Sequence, residues 1–239
     1  MQSNKEWAQK ILDRIDPAFK HRWEVYTNTI QKLLNTNSVW IDCGCGSNGL
    51  VESYGHLAKE AYGVDVAGPE KNISNFIKAD IKRLPFSSEF ADLVTLRFVV
   101  EHFDYPELYF SEIRRVLKRN GKVLIITTNL LCPIIFIPKI VFPYPLKSLI
   151  ISKLYKVDTK DIFPTYHRIN TQRQYKRLNK GLSFFSIEYL SDLNYSRKWI
   201  FLPLLSWHLL TRFLKLEYLR TNLLVTLRKN LTYSVIVNL

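Results

Sequence analysis

Apolar residues return at roughly helical spacing at the start of the chain. Trp7, Ile11, Ile15, Trp23, Ile30 and Leu34, interrupted by Pro17, predict two helices within residues 5–34. The period then changes. A short strand over Ser38–Ile41 runs into "DCGCGSNG", "LVESYGHLAKE" continues as a helix, "AYGVDV" reads as a second strand, and "FIKAD" as a third after a charged connection. "FADLVTLRFV" is continuously apolar, as strands buried on both faces of a parallel sheet are. "YPELYFSEIRRVLKR" predicts an amphipathic helix with Pro106 at its start and Asn120-Gly121 at its stop, and "KVLIITT" a fifth strand. Strands alternating with helices in this way predict an α/β fold with a doubly wound, Rossmann-like sheet.

After Asn129 the pattern is different. "LLCPIIFIPKIVFPYPLKSLIISKLYK" sets Pro133, Pro138, Pro143 and Pro145 in an apolar background, which predicts an irregular apolar insertion rather than a spanning helix. "HRINTQRQYKRLNKGLSFFSIEYLSD" predicts a basic helix capped by Asn170 or Thr171, stopped by Gly181 and followed by a strand. "WIFLPLLSWHLLTRFLKLEYLR" places Leu202, Leu205, Leu209, Phe213 and Leu216 on one side and His208, Thr211, Arg212 and Lys215 on another. Pro203, His208, Arg212, Lys215 and Glu217 rule it out as a transmembrane segment. "LTYSVIVN" is expected to close the sheet.

The chain has 239 residues, 47% of them hydrophobic, enough for one sizeable core. The net charge of +13 is concentrated in the second half: residues 1–129 hold 17 Lys and Arg against 16 Asp and Glu, and residues 130–239 hold 17 against 5. A large anionic partner would therefore meet the second half. Its basic residues are interleaved with long aliphatics rather than exposed aromatics, so nucleic acid is not expected and an anionic membrane surface is the better candidate. Covering the sheet, or a dimer contact, is the alternative for the apolar helix from Trp199. The start of the sequence mixes charges without an apolar leader run, and Cys43, Cys45 and Cys132 suit neither a disulfide framework nor a zinc knuckle. A cytoplasmic protein with reduced, buried thiols and no metal is expected, peripheral on the membrane inner face if the basic half docks there.

The stretch "VWIDCGCGSNGL" then asks which small molecule needs a strand, Asp42, and the closely packed Gly44 and Gly46. Gly44, Gly46 and Gly49 literally satisfy the dinucleotide fingerprint. The charges argue against it. Asp42 precedes the turn, Asp65 and Asp80 end the next two strands, and no Lys or Arg lies between Lys32 and Lys59. A pyrophosphate would meet carboxylates without a basic partner, whereas S-adenosylmethionine, with an ammonium, a sulfonium and no phosphate, suits an acid-lined turn.

Four stretches in order, "VWIDCGCGSNG", "YGVDV", "KADIKRLPFSSEFADLVTLRFVVEHF" and "EIRRVLKRNGKVLIITTN", resemble the class I S-adenosylmethionine-dependent methyltransferases, within the group similar to ubiquinone-biosynthesis (type 11) methyltransferases. The resemblance covers about residues 36–130. It implies a seven-stranded, mostly parallel sheet with an antiparallel last strand, the cofactor S-adenosyl-L-methionine, and methyl transfer to a small-molecule or amphiphilic acceptor such as a lipid, quinone or glycan. By the same resemblance Asp42, Gly44 and Gly46, with Cys45 between them, lie along the methionine portion, and Asp65 accepts from the ribose hydroxyls. Val66 lies against the adenine, Asp80 and the Ile81 backbone read its edge, and Arg97 and Phe98 line the methionine end. The family pattern usually has a glycine where this chain has Asn48.

Each of these residues has a plainer reading. Asp65 and Asp80 could cap the turns that follow them, and Cys43 and Cys45 could be packing alone. His102, in the "EHF" loop after the fourth strand, is the candidate catalytic base, against a structural hydrogen bond to the following helix. Trp23 and Tyr26 could cover the cofactor, or be core. One methyltransferase domain is expected over 1–239: N-terminal helices (1–35), a cofactor-binding half (36–129), an apolar insertion (130–165) and a basic half completing the sheet (166–239). The competing functional classes are a non-catalytic protein of the same fold docked to a membrane or another anionic partner, and an NAD(P)-dependent oxidoreductase.

Overall fold

The structure is a computed structural model and describes residues 2–68, 73–141, 164–178 and 181–230. Helices α1 (Gln2–Ile15) and α2 (Arg22–Leu33) precede β1 (Val39–Cys43), and α3 (Gly49–Tyr54) leads to β2 (Glu60–Asp65) and β3 (Phe76–Lys78). Then follow β4 (Ala91–Arg97), α4 (Pro106–Val116), β5 (Leu117–Thr128), α5 (Pro133–Val141), α6 (Gln172–Arg177), β6 (Leu182–Leu190), α7 (Lys198–Phe213) and β7 (Asn222–Lys229). The sheet has seven strands in the order β3-β2-β1-β4-β5-β7-β6. Only β7 runs antiparallel to its neighbours, as the sequence resemblance implies.

Alternation along the strands divides the core. Ile41, Cys43, Val94, Leu96, Val123 and Ile125 face one layer with α4, while Trp40, Leu93, Leu124 and Ile126 face the other with Tyr26 and Ile30 of α2. A third cluster, Ala8, Leu12, Leu193, Phe201 and Leu205, joins α1 to α7. Parallel pairing brings the ends of β1, β2 and β4 to one edge: Cys43 lies beside Val64 and Leu96, and Asp65 beside Lys78. Such an edge is where open α/β sheets bind their ligands.

The structure differs from the sequence expectations at several places. β1 runs on to Cys43. Helix α4 stops at Val116 rather than at Asn120-Gly121, because Leu117 is buried and already pairs with Ala91; the register then shifts before Leu93 meets Lys122, and Asn120 turns at φ 63°. Where an irregular insertion is expected, Pro133 instead starts α5, a position that needs no N–H. The remainder of the insertion, residues 142–163, lies outside the described residues. Thr171 is the cap of α6, accepting from Gln174 N, and Gly181 at φ 84° follows.

Helix α7 buries only part of its expected apolar side: Leu205 is buried and Leu209 packs against the third cluster. Phe201, Leu205, His208 and Thr211 are buried, while Leu202 and Phe213 are exposed, Phe213 to 84%. His208 is drawn inward by Asp16 at 2.9 Å and Ser191 at 2.8 Å. The expected closing strand "LTYSVIVN" lies outside the described residues; the antiparallel strand observed is the preceding "NLLVTLRK". Among the described residues no helix is long and apolar enough to cross a membrane.

Candidate functional site at the strand ends

The turn after β1 is shaped by its own backbone bonds. Gly44 N and Cys45 N both donate to Val64 O, at 2.7 and 3.2 Å, and Gly46 N donates to Asp65 Oδ2 at 2.8 Å. Gly44 sits at φ 72°, and a Cβ there would stand 2.2 Å from Val99 Cγ2. Both conformation and space require glycine at this position. Gly46, at φ 57°, has nothing within 4 Å of its missing Cβ, so its requirement is conformational. Asn48 takes the family's glycine position in the left-handed region, at φ 64°. It is fully buried over Gly63, whose missing Cβ would fall 1.9 Å from Asn48 Oδ1.

A cavity of about 320 Å³ opens on this edge, lined by Gly44, Asp65, Val66, Asp80, Ile81, Arg97, Phe98 and His102 of the sequence candidates. Lys82, Val99, Phe103 and Tyr109 complete it and were not anticipated. Asp65 accepts from Gly46 N and, through Oδ1, from Ala67 N at 3.0 Å, and its two carboxylate oxygens retain lone pairs for a ligand hydroxyl. Asp80 accepts from Lys82 N at 2.9 Å, so its capping role is realised beside the cavity. Val66, 51% exposed, offers an apolar face. Tyr109 stacks on Phe103 with centroids 3.8 Å apart, and Lys82 Nζ lies 5.1 Å from the Tyr109 ring. Phe98 is held at φ 54°, a conformation that costs a bulky residue about 1–2 kcal/mol.

Asp42, Cys45 and Gly46 do not line the cavity. Asp42 is 1% exposed behind the turn; its Oδ1 accepts from Thr95 Oγ1 at 2.6 Å, and that hydroxyl accepts from Trp40 Nε1 at 2.9 Å. Burial lifts the Asp42 carboxyl to about 6, with the Thr95 bond and the Arg97 charge pulling the other way. Because the folded state holds this proton more tightly than the unfolded chain, with its ordinary value of 3.8, stability falls as pH rises from about 4 to about 6. The loss attributable to Asp42 is on the order of 3 kcal/mol, and Asp42→Asn removes it. Denaturant midpoints of wild type and variant between pH 4 and 7.5 check this, and a stability difference that does not change with pH counts against it.

His102 Nδ1 lies 2.9 Å from Pro164 O, so that nitrogen carries the hydrogen. The preceding Glu101 is buried, accepts from Thr127 Oγ1 at 2.9 Å, and its carbonyl receives Tyr166 N and His167 N. Burial raises its carboxyl. Asn170 Nδ2 donates to the same Thr127 hydroxyl at 2.8 Å, which ties the loop after β4 to the end of β5. Tyr26 is fully buried in the core, whereas Trp23 packs edge-on against Phe98 at 5.7 Å. Cys43, Cys45 and Cys132 are free thiols, all buried.

The residues present fit S-adenosylmethionine. Gly44 of the turn, the Asp65 carboxylate as an acceptor for hydroxyls, the apolar Val66 and the cationic Arg97 stand around one cavity of small-molecule size, a set that matches the ligand's own groups.

Residues 41–125 match a family described as "Methyltransferase domain". Two curated relatives are similar over this region: an uncharacterized methyltransferase, YcgJ of Bacillus subtilis, 26% identical over 98 residues, and a Methanocaldococcus jannaschii protein, 32% identical over 95 residues. The matches take in 36% and 37% of this chain but span only 39% and 40% of those relatives. The crystal structure of an S-adenosylmethionine-dependent methyltransferase from Mesorhizobium loti aligns over 85% of this chain and 95% of its own, with TM-score 0.53 and 16% identity. Geranyl diphosphate C-methyltransferase from Streptomyces coelicolor, solved with S-adenosyl-L-homocysteine, aligns over 86% and 78%, with TM-score 0.53 and 14% identity. The turn, the acid at the end of β2 and the seven-stranded order agree with these likenesses: residues 41–125 match a methyltransferase domain, and the chain has the fold of the S-adenosylmethionine-dependent methyltransferases it aligns with.

Proposed function

We propose that the protein transfers a methyl group from S-adenosyl-L-methionine to an oxygen, nitrogen or carbon nucleophile of a small-molecule acceptor. The observation that carries this reading is the use of the turn's donors. Gly44, Cys45 and Gly46 give their N–H groups to Val64 O and to the Asp65 carboxylate, leaving none of the three for a pyrophosphate. That disfavours the NAD(P) alternative. When bound, S-adenosylmethionine supplies an electrophilic methyl group on a sulfonium. Asp65 holds the ribose hydroxyls, Val66 and Ile81 bracket the base, and Arg97 pairs the carboxylate. Phe98 and Val99 close the cavity floor and keep water from the reacting edge.

Another protein on this fold, the [4+2]-cyclase SpnF, aligns over 86% of the chain with TM-score 0.53, so fold alone does not specify methyl transfer. Titration of the protein with S-adenosylhomocysteine and with NAD, followed by incubation of isotopically methyl-labelled S-adenosylmethionine with cell extract, tests the reading. Tight NAD binding without a response to S-adenosylhomocysteine would overturn it, and cofactor binding without label transfer would return the chain to a binding role. An amphiphilic acceptor, with peripheral contact to an anionic membrane, is the second reading. It is favoured by the exposed Trp199, Leu202, Leu210 and Phe213 on α7 beside Arg197 and Lys198. Label confined to the aqueous fraction would end it.

His102 is the proposed proton acceptor where the nucleophile must lose a proton, since it lines the cavity and Pro164 fixes its ring. His102→Gln is expected to lower kcat roughly 100-fold with S-adenosylhomocysteine affinity unchanged. Steady-state turnover and calorimetry on one preparation read both, and unchanged kcat would leave His102 as a tie to Pro164.

A further inference from the structure

Helices α4 and α6 lie on the same face of the sheet, where Phe110 and Ile113 of α4 share one core cluster with Ile169, Tyr175 and Leu182. Helix α6 is only six residues long, and the space between the two helices stays open as a cavity of about 430 Å³. Three arginines, Arg114, Arg168 and Arg177, stand in its wall against one carboxylate, Glu107. An aromatic layer divides it from the cofactor cavity: Phe103, which lines the latter, meets Phe110, which lines this one, edge-on with ring centroids 6.0 Å apart. Its occupant is therefore not the methyl acceptor.

The arginines come from three separate pieces of chain, two of which hold them in place. Arg114 on α4 sits over Gly181, where a Cβ would stand 2.9 Å from its Nη1. The segment carrying Arg168 is fixed on both sides, by Tyr166 N and His167 N on Glu101 O at 2.7 and 3.0 Å, and by Leu130 N on Asn170 O at 3.1 Å. Arg177 ends α6. Among the described residues, none of these three guanidinium groups has a hydrogen bond or an ion pair, whereas Arg115, next to Arg114, is held by Glu112 at 2.7 Å. Gln174 also lines the cavity. Its Oε1 accepts from Asn170 N and from Thr171 Oγ1, each at 2.9 Å, so its amide nitrogen keeps its hydrogens for another acceptor.

We infer that this cavity binds the phosphoryl group of a phosphorylated small molecule. Its polar lining is rich in donors, and the planar forks of arginine match phosphate oxygens two at a time. Three guanidinium groups against one carboxylate leave an excess of two positive charges, which suits a phosphomonoester carrying about −1.5 to −2 at neutral pH. A single carboxylate would leave part of that excess unmet. Phe110, Ile169, Leu178 and Leu182 supply the apolar part of the wall, so the body that bears the phosphate is apolar or aromatic. The inference stands apart from methyl transfer.

Phenyl phosphate, phenylacetate and phenylacetamide, similar in size and different in charge, test it by calorimetric titration into the full chain in phosphate-free buffer. Phenyl phosphate is expected to bind at least roughly tenfold more tightly than phenylacetate, and phenylacetamide not measurably. Arg168→Ala and Arg177→Ala, both at exposed residues, should each weaken phenyl phosphate at least roughly tenfold. Lys176→Ala removes the same charge from α6 at a residue that does not line the cavity, and should leave the affinity within about twofold. Co-sedimentation with phosphatidic acid vesicles, against phosphatidylcholine alone, identifies the source: Arg177-dependent sedimentation assigns the phosphoryl group to a lipid headgroup, and its absence beside phenyl phosphate binding assigns it to a soluble molecule. Equal affinity for phenyl phosphate and phenylacetate, a loss in Lys176→Ala as large as in Arg177→Ala, or no binding of either phenyl phosphate or phosphatidic acid vesicles overturns the inference.

Discussion

Asp65→Ala is expected to weaken S-adenosylhomocysteine binding at least roughly 100-fold. The carboxylate sits at the end of β2 with the Gly46 and Ala67 N–H groups at 2.8 and 3.0 Å, and the cavity begins at its free edge. Two losses combine in the variant. The ligand's hydroxyls lose a charged acceptor, and hydrogen bonds to charged groups contribute about 1.5–3 kcal/mol each. The turn loses the anchor that holds Gly46, so the cradle is no longer preorganised. At about 1.4 kcal/mol per factor of ten, one such bond and a modest ordering cost already account for two decades. Asp65→Asn keeps one oxygen acceptor and should fall between, roughly tenfold weaker than wild type. Calorimetry on wild type and both variants, with a thermal melt to confirm folding, reads the effect. Affinity within threefold of wild type in a folded Asp65→Ala protein would remove Asp65 from the ribose role.

The same residue shows why much of this site was legible in sequence. Strand ends at one edge of a parallel sheet are fixed by register, so the residue closing each apolar run has a known address: Asp65 and Arg97 end β2 and β4 at the cavity, while Asp80, expected to end the third strand, lies two residues beyond β3 and reaches the cavity as the cap of the next turn. Lys82 and Tyr109 were missed for a complementary reason. Lys82 lies in a 3-10 turn and Tyr109 on the first turns of α4, where the inward direction depends on how turn and helix seat against each other; only their contacts with Asp104 and Phe103 settle it. Asp42 was placed correctly in the chain but one layer too near the surface, because the Thr95 hydroxyl that covers it comes from a strand 53 residues away. The arginine-lined cavity carried no local signal. Its cations come from α4, the segment before α6 and the end of α6, which nothing in the sequence pattern brings together.

The largest expected effect on stability lies at a residue that drew no attention in the sequence. Asp16, at the end of α1, is 4% exposed; it accepts from His208 Nε2 at 2.9 Å and bonds the Arg212 guanidinium, while His208 Nδ1 accepts from Ser191 Oγ at 2.8 Å. This cluster ties α1 to α7 and to the end of β6, and explains why α7 buries His208 and Thr211 while Phe213 faces outward. Apolar periodicity could not foresee that, since a polar group satisfied by partners distant in sequence competes on equal terms with a leucine for the inner face. Asp16→Ala leaves the buried imidazole without its acceptor, a loss of about 3 kcal/mol for one member of a buried pair, or roughly 6–12 °C in Tm for a chain of this size. Asp16→Asn, which still accepts from Nε2–H, should lose about half of that. The signs also fix the pH behaviour. Burial raises the Asp16 carboxyl, but the bonds from Arg212 and His208 outweigh it and hold it low, so its contribution is present above the ordinary 3.8 and is lost as pH falls through the folded value. Burial depresses His208 despite Asp16, so its contribution is present above 6.5 and declines as the pH drops below that. Wild type therefore loses stability on acidification, but Asp16 itself raises His208, so in Asp16→Ala the imidazole is depressed further and more is lost: the gap between wild type and Asp16→Ala should widen from pH 8 toward pH 5, and narrow only as Asp16 is protonated below its ordinary 3.8. Melts at pH 8 and pH 5 measure it; a difference under about 1 kcal/mol at pH 8, or one that narrows toward pH 5, would show that the third core cluster of Ala8, Leu12, Leu193, Phe201 and Leu205 holds α1 to α7 without the clasp.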